Sequence, residues 1–134
     1  GPTQGDVSAE LDMARNDPRI IVHAKRIPDE SVPTYYGAAD VAVMAQREFF
    51  TSGSALLALS MGVPVVGPAL HQLAELADSP RLFAVEPDAD GLSDGLARAR
   101  REAPAIDHRA VREWTKHYGT WRDAASRTAL VLRA

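Results

Sequence analysis

The sequence predicts an α/β fold, with a parallel sheet covered by helices on both faces. Three observations lead there. Short apolar runs alternate with longer segments of helical period. Each run is bounded by Gly, Pro or Asp, which punctuate rather than extend a strand. The run Thr51-Ser52-Gly53-Ser54 opens a short apolar helix that stops at Gly62, and the strand Val63 to Val66 follows after one turn. Strands separated by helices of this length pair in parallel, because the intervening helix returns the chain to the same edge.

The elements follow in order. Val7 to Asn16 has a helical pattern, and Ile20 to His23 is short, apolar and β-branched, as a strand would be. Pro28-Asp29 starts a helix reaching about Ala39, with Val32, Tyr35 and Tyr36 on its apolar face. Val41 to Ala45 is a second strand entered at Asp40. Ser54 to Met61 is a helix, Val63 to Val66 a third strand, Leu70 to Ala77 a short helix and Leu82 to Val85 a fourth strand. Asp88 to Glu102, Asp107 to His117 and Thr120 to Leu132 complete the chain as helices, separated at Pro104 and Gly119. Ligands of such sheets lie beyond the carboxyl ends of the strands. The Thr51 to Ser54 turn follows the strand ending at Ala45, so it belongs to that edge.

That turn has the chemistry of an anion site. The first N–H groups of a helix have no internal partner, and the helix dipole adds partial positive charge there. Gly53 lets a phosphate approach the backbone, and the Thr51, Ser52 and Ser54 hydroxyls add donors. Ser at this position also has a purely local use as a helix cap.

Composition narrows the function classes. The 134 residues suit one domain, and 46% apolar and 25% charged residues are ordinary for a globular protein. With no cysteine, a thiol nucleophile, a disulfide and a thiolate metal site are excluded. His23, His108 and His117 lack metal-ligand spacing, so no metal is expected. Neither a signal peptide nor a membrane span is visible, and the expected location is the cytoplasm. Charge is uneven: residues 1–97 hold 6 basic and 14 acidic side chains, residues 98–134 hold 9 and 4. The basic segment reads first as a solvated helical surface and second as a peripheral membrane or acidic-partner contact. With few aromatics between basic residues, nucleic-acid binding is not expected.

The segment Pro28-Asp29-Glu30, then Tyr35-Tyr36-Gly37-Ala38-Ala39-Asp40-Val41-Ala42-Val43, precedes the Thr51 to Val66 run. Together they resemble the C-terminal domain of group 1 glycosyltransferases of the GT-B fold and retaining type. Ala74-Glu75-Leu76, Leu82 to Val85 and Trp121 resemble the segments that follow, so the likeness runs along nearly the whole chain. The resemblance implies a Rossmann-like domain, here residues 1–134, that binds a nucleoside-diphosphate sugar as substrate rather than cofactor. It implies transfer of the sugar to an acceptor hydroxyl presented by a preceding N-terminal domain.

The resemblance also implies site residues. The phosphate contact falls on Thr51, Ser52, Gly53 and Ser54. Arg26 and Ile27, with Lys25, lie in the segment that resembles the loop meeting the nucleobase. His71, in the loop after the third strand, stands where the family's backbone meets the donor sugar, and is a hydrogen-bond candidate. The family's paired glutamates fall on Phe49 and Leu57 when aligned from Gly62 and Pro64. Glu48 serves as the first, catalytic-site carboxylate if the loop shifts by one residue, and nothing replaces the second, which holds the ribose.

The family's domain begins with further strands for which Gly1 to Asp6 is too short and too polar. The expectation is therefore a partial sheet. Either the strands at Ile20 and Val41 close up, or a second chain fills the gap by strand-mediated self-association. The fragment alone is expected to be inactive as a transferase. Two rival functions stand beside this one. A UDP-N-acetylglucosamine 2-epimerase-like domain shares the fold and a Ser-Gly turn but follows it with glutamates, where this chain has Ala55-Leu56-Leu57. A non-catalytic, degenerate binding module is favoured by the missing ribose carboxylate.

Overall fold

A computed structural model of the chain describes residues 8–45 and 53–117. The chain divides into two compact units, residues 1–35 and residues 36–134. The helix expected from Thr120 to Leu132, and Trp121 within it, lie outside the described residues.

The first unit begins with α1 (Ser8–Asn16), which buries none of its residues. The segment after it turns rather than extends. Pro18 fixes the second position of a β-turn closed by the Ile20 N–H donating to the Asp17 carbonyl at 3.0 Å. The Arg19 guanidinium clasps the Asp17 carboxylate, donating from Nε to Oδ1 at 2.9 Å and from Nη2 to Oδ2 at 2.6 Å. This corrects the expected strand at Ile20 to His23. Those residues form no ladder, and Ile21 is 82% exposed. A strand needs a neighbour for its N–H and C=O groups, and no other strand lies in this unit among the described residues. A 3-10 turn (Asp29–Ser31) leads into α2 (Val32–Ala38), whose first turn accommodates Pro33 because that position has no helical N–H partner.

The second unit holds a sheet of three parallel strands in the order β1-β2-β3: β1 (Ala42–Val43), β2 (Val65–Pro68) and β3 (Leu82–Val85). Val65 pairs with Ala42 on one side and Leu82 on the other. The helices between and after them are α3 (Gly53–Ser60), the single turn α4 (His71–Ala74), α5 (Ala89–Glu102) and α6 (His108–His117). The expected parallel sheet with helical cover is therefore present, in a Rossmann-like α/β arrangement.

Side-chain alternation along the strands divides the core. Val65 and Leu82 join Ala58, Leu59, Leu73, Leu76 and Val111 on one face. Val66, Phe83 and Val85 join Ala99 and Ala103 of α5 and its extension on the other. The α5 helix reaches the sheet closely because it presents small residues at every fourth position, Gly91, Gly95, Ala99 and Ala103. A Cβ at Gly95 would stand 2.5 Å from Val85 Cγ1 and 2.7 Å from Val66 Cγ1. Arg98, on the same helix, lies over the Phe83 ring at 5.7 Å.

The strand expected at Val63 to Val66 is shifted to Val65–Pro68, and the cause is the end of α3. Gly62 adopts φ 79°, the left-handed cap conformation that glycine takes without strain. Its N–H donates to the Leu59 carbonyl at 2.8 Å, and the Val63 N–H donates to Ala58 at 2.9 Å. Residues 62 and 63 thus satisfy the helix end as a Schellman cap and are not available to the ladder. Pro68 closes β2, where its missing N–H costs least.

One buried charge joins these pieces. Arg81 is 3% exposed. One guanidinium nitrogen donates to the Gly62 carbonyl at 2.6 Å, and another donates to the Ala103 carbonyl at 3.0 Å and to that of Ile106. Burial lowers its pKa, and the nearby Asp107 carboxylate works in the opposite direction. The carbonyls at helix carboxyl ends carry partial negative charge, so a cation is the complementary partner there.

Two predictions follow from these contacts. Arg81→Met leaves the three carbonyls without their donor and lowers stability by about 3 kcal/mol, seen as a fall in the urea midpoint. Arg81→Lys restores only a minor part, because one ammonium does not span acceptors on separate segments. In the first unit, the Arg19 side chain and then the Arg19 N–H hold the Asp17 carboxyl below the ordinary aspartate range. Its stabilising contribution is fully present above the unfolded value of about 4 and is lost as pH falls through the lowered folded value. Carboxyl carbon shifts followed by NMR should show Asp17 protonating below the ordinary aspartate range.

Candidate functional site

All three strands point their carboxyl ends toward one edge, and the chain leaves that edge through loops. Ala45 follows β1, Ala69 and Leu70 follow β2, and Glu86 to Asp88 follow β3. The α3 helix runs antiparallel to the strands, since its end at Ser60 enters β2 within a few residues. Its amino end, Gly53-Ser54, therefore belongs to this carboxyl edge.

The two long helices that start here have different amino ends. The amino end of α5 is neutralised by its own sequence. Asp88, in an extended conformation, caps it by accepting the Gly91 N–H on Oδ1 at 2.7 Å, and Asp90 adds charge in the first turn. The first turn of α3 holds no acidic residue. Among the described residues, a Cβ built on Gly53 meets nothing within 4 Å. The Tyr36 hydroxyl donates to the Ser54 carbonyl at 3.3 Å and ties α2 to the first turn of α3. Burial raises the Tyr36 phenol above the ordinary tyrosine range, so it remains a donor at neutral pH.

Between the loops lies a cavity of about 210 Å³ lined by Ala45, Pro68, Pro87, Asp88, Ala89 and Leu92. The join of β2 and β1 beside these loops is tight. A Cβ at Gly67 would stand 2.6 Å from Leu73 Cδ2 and 3.0 Å from the Met44 carbonyl.

Of the residues expected in the site, Gly53 and Ser54 are exposed at the carboxyl edge, and His71 starts α4 at the same edge. Glu48, Thr51 and Ser52 lie outside the described residues, as does the His71 side chain. Arg26 and Ile27 belong to the first unit. Arg26 is exposed and pairs with Asp29 at 3.3 Å, and Ile27 is half-buried. The sequence reading missed the cavity and the Tyr36 contact. The Pro-Asp before α5 is legible as a cap, but nothing in the sequence says that the same aspartate borders a cavity. Among the described residues no cluster of His, Asp or Glu is arranged to hold a metal ion, and no helix is long and apolar enough to cross a membrane.

The parallel sheet with its helical cover is consistent with what a comparison with protein families finds. Residues 1–101 match the family model described as glycosyl transferases group 1. The chain belongs to the group 1 glycosyl transferase family. The match ends within α5, before α6. No curated protein and no solved structure matches the chain.

Gly53 offers a direct test of the open helix end. Gly53→Ala places a methyl group in free space at a position of ordinary φ, and should raise stability by about 0.5 kcal/mol. The same methyl obstructs close approach of an anion to the first turn. Thermal melting and inorganic phosphate titration of the two proteins should therefore move in opposite directions.

Proposed function

We propose that this chain is the nucleotide-sugar-binding part of a glycosyltransferase. It binds a nucleoside-diphosphate sugar at the carboxyl edge of the sheet, and the sugar passes to an acceptor hydroxyl brought by another domain. The observation that carries this reading is the amino end of α3. Among the described residues nothing stands against a Cβ at Gly53, and the first turn holds no acidic residue, while α5, which starts at the same edge, is capped by its own aspartate.

The chemistry follows from that end. In glycosyl transfer the bond between the anomeric carbon and the diphosphate oxygen breaks, and negative charge builds on the departing diphosphate. Helix N–H groups already aimed at that charge stabilise it without reorganising. The Thr51, Ser52 and Ser54 hydroxyls add donors in this reading. Glu48 serves the donor sugar, His71 stands beside it, and Arg26 and Ile27 face the base. The helix N–H groups and a second substrate are sufficient for this scheme, and no metal ligand from the chain is needed.

A second reading is a non-catalytic binding module derived from the same family. The observation favouring it is Leu57, which stands where the ribose carboxylate is expected and is 43% exposed on α3. The epimerase-like reading is less favoured. Ala55, in place of an acid after the turn, is 1% exposed and packs in the core.

Two-dimensional amide NMR of the chain, titrated with UDP, GDP and ADP, tests the proposal. The expected result is saturable shifts at the Gly53 and Ser54 amides with one of the three. A dispersed spectrum that none of them perturbs overturns nucleotide binding and leaves the binding module. Sugar transfer by the chain alone would overturn the need for a second domain.

A further inference from the structure

The described residues leave a second cavity at the opposite, amino edge of the sheet, wholly within the second unit. Its volume is about 400 Å³, in the range of small-molecule sites. The residues that lead into all three strands line it: Asp40 before β1, Val63 and Pro64 before β2, and Arg81 before β3. So do the carboxyl ends of three helices, at Ala39 after α2, Met61 and Gly62 after α3, and Ala103 after α5. Ligands of parallel sheets ordinarily lie at the other edge, so the general rule for such sheets does not account for this cavity.

Two charged side chains on its wall are left for a ligand. Arg81 is not one of them, because its guanidinium already serves the carbonyls of Gly62, Ala103 and Ile106. Asp40 and Arg100 line the cavity and are exposed. Neither side chain makes a hydrogen bond or an ion pair with the described residues, and they do not pair with each other. Arg98, on the same helix as Arg100, is by contrast matched with Glu102 at 4.0 Å. Asp40 stands just after the end of α2, whose last carbonyls add partial negative charge. An ammonium group is the complement there. Arg100, with its planar guanidinium, is the complement of a carboxylate. Much of the remaining wall is carbon, from Met61, Val63, Pro64, Ala99 and Pro104.

We propose that this cavity binds a free amino acid with a large apolar side chain, its ammonium on Asp40, its carboxylate on Arg100 and its side chain against the apolar wall. A zwitterion answers both charges with one molecule, which neither a simple amine nor a simple acid does. The apolar side chain gains by leaving water, and the two charged ends fix its orientation. The inference is independent of the donor-binding reading, since the two sites occupy opposite edges of the sheet.

The test is amide NMR of the chain titrated with L-phenylalanine and with two analogues that each lack one charge: phenethylamine, without the carboxylate, and 3-phenylpropanoate, without the ammonium. L-phenylalanine should give saturable shifts at Gly37, Asp40, Gly62 and Ala103. Each analogue should bind about tenfold more weakly, having lost one charge-assisted contact. L-serine, with the same two charges and no apolar side chain, should also bind more weakly. Asp40→Asn should bring L-phenylalanine down to the affinity of 3-phenylpropanoate, and Arg100→Gln down to that of phenethylamine. Both side chains are exposed, so the melting temperature should hold in each variant. The analogue comparison needs no variant at all. No saturable shift with L-phenylalanine, shifts confined to other residues, or equal affinity for L-phenylalanine and either analogue overturns the inference and leaves the donor-binding reading standing.

Discussion

The second unit depends on one buried guanidinium. A parallel sheet of two- and four-residue strands offers few ladder bonds, so its helices must be held by other means. Arg81 sits just before β3 and donates to the carbonyl that ends α3 and to two carbonyls after α5. These are places where helices leave backbone acceptors unsatisfied. A single planar cation with several donors meets them at once, which a point charge does not do. The cost of burying the charge appears in its lowered pKa. The return is that three segments distant in sequence are fixed at the amino edge of the sheet.

Order at that edge has an effect at the other. With the carboxyl end of α3 held at Gly62, the helix is a strut whose amino end, Gly53-Ser54, is set by its length. Tyr36 adds a second attachment near that amino end. On the opposite face, α5 is pressed onto Val66 and Val85 through Gly95, and its cap at Asp88 is held beside Pro68 and Ala45. The cavity is therefore bordered by backbone that has little freedom to move. The loops that complete the edge can vary while this frame stays fixed.

Parts of this were legible in the residues. Leu82 to Val85 is observed as expected, because Arg81 and Glu86 bound a run long enough to be a strand and too short to be a helix. The Asp88 to Glu102 helix is observed from Ala89, with Asp88 as its cap. Val41 to Ala45 shortens to Ala42–Val43 because only β2 pairs with it among the described residues. Ile20 to His23 misled for a related reason. Apolar β-branched residues signal a strand only when a partner exists, and composition does not report partners. Arg81 gave no sign at all, since a lone arginine before a strand looks like any surface arginine. The Ser-Gly turn was the strongest site signal, and Gly53 and Ser54 are exposed at the edge where it was expected. The cavity could not be read, because it is made by the ends of three loops that meet only in space.

The Arg81 tie is unequal in its demands on the sequence. Ala103 and Ile106 contribute only main-chain oxygen, which every amino acid supplies. Relatives could therefore drift freely at those acceptor positions as far as this contact is concerned, and the requirement falls on the donor alone. A chain that lost Arg81 could not recover the tie by a compensating change at either of those partners. It would have to build a different closure for the amino edge. Divergence around this sheet should then be lopsided, with permissive helix ends gathered about one fixed arginine.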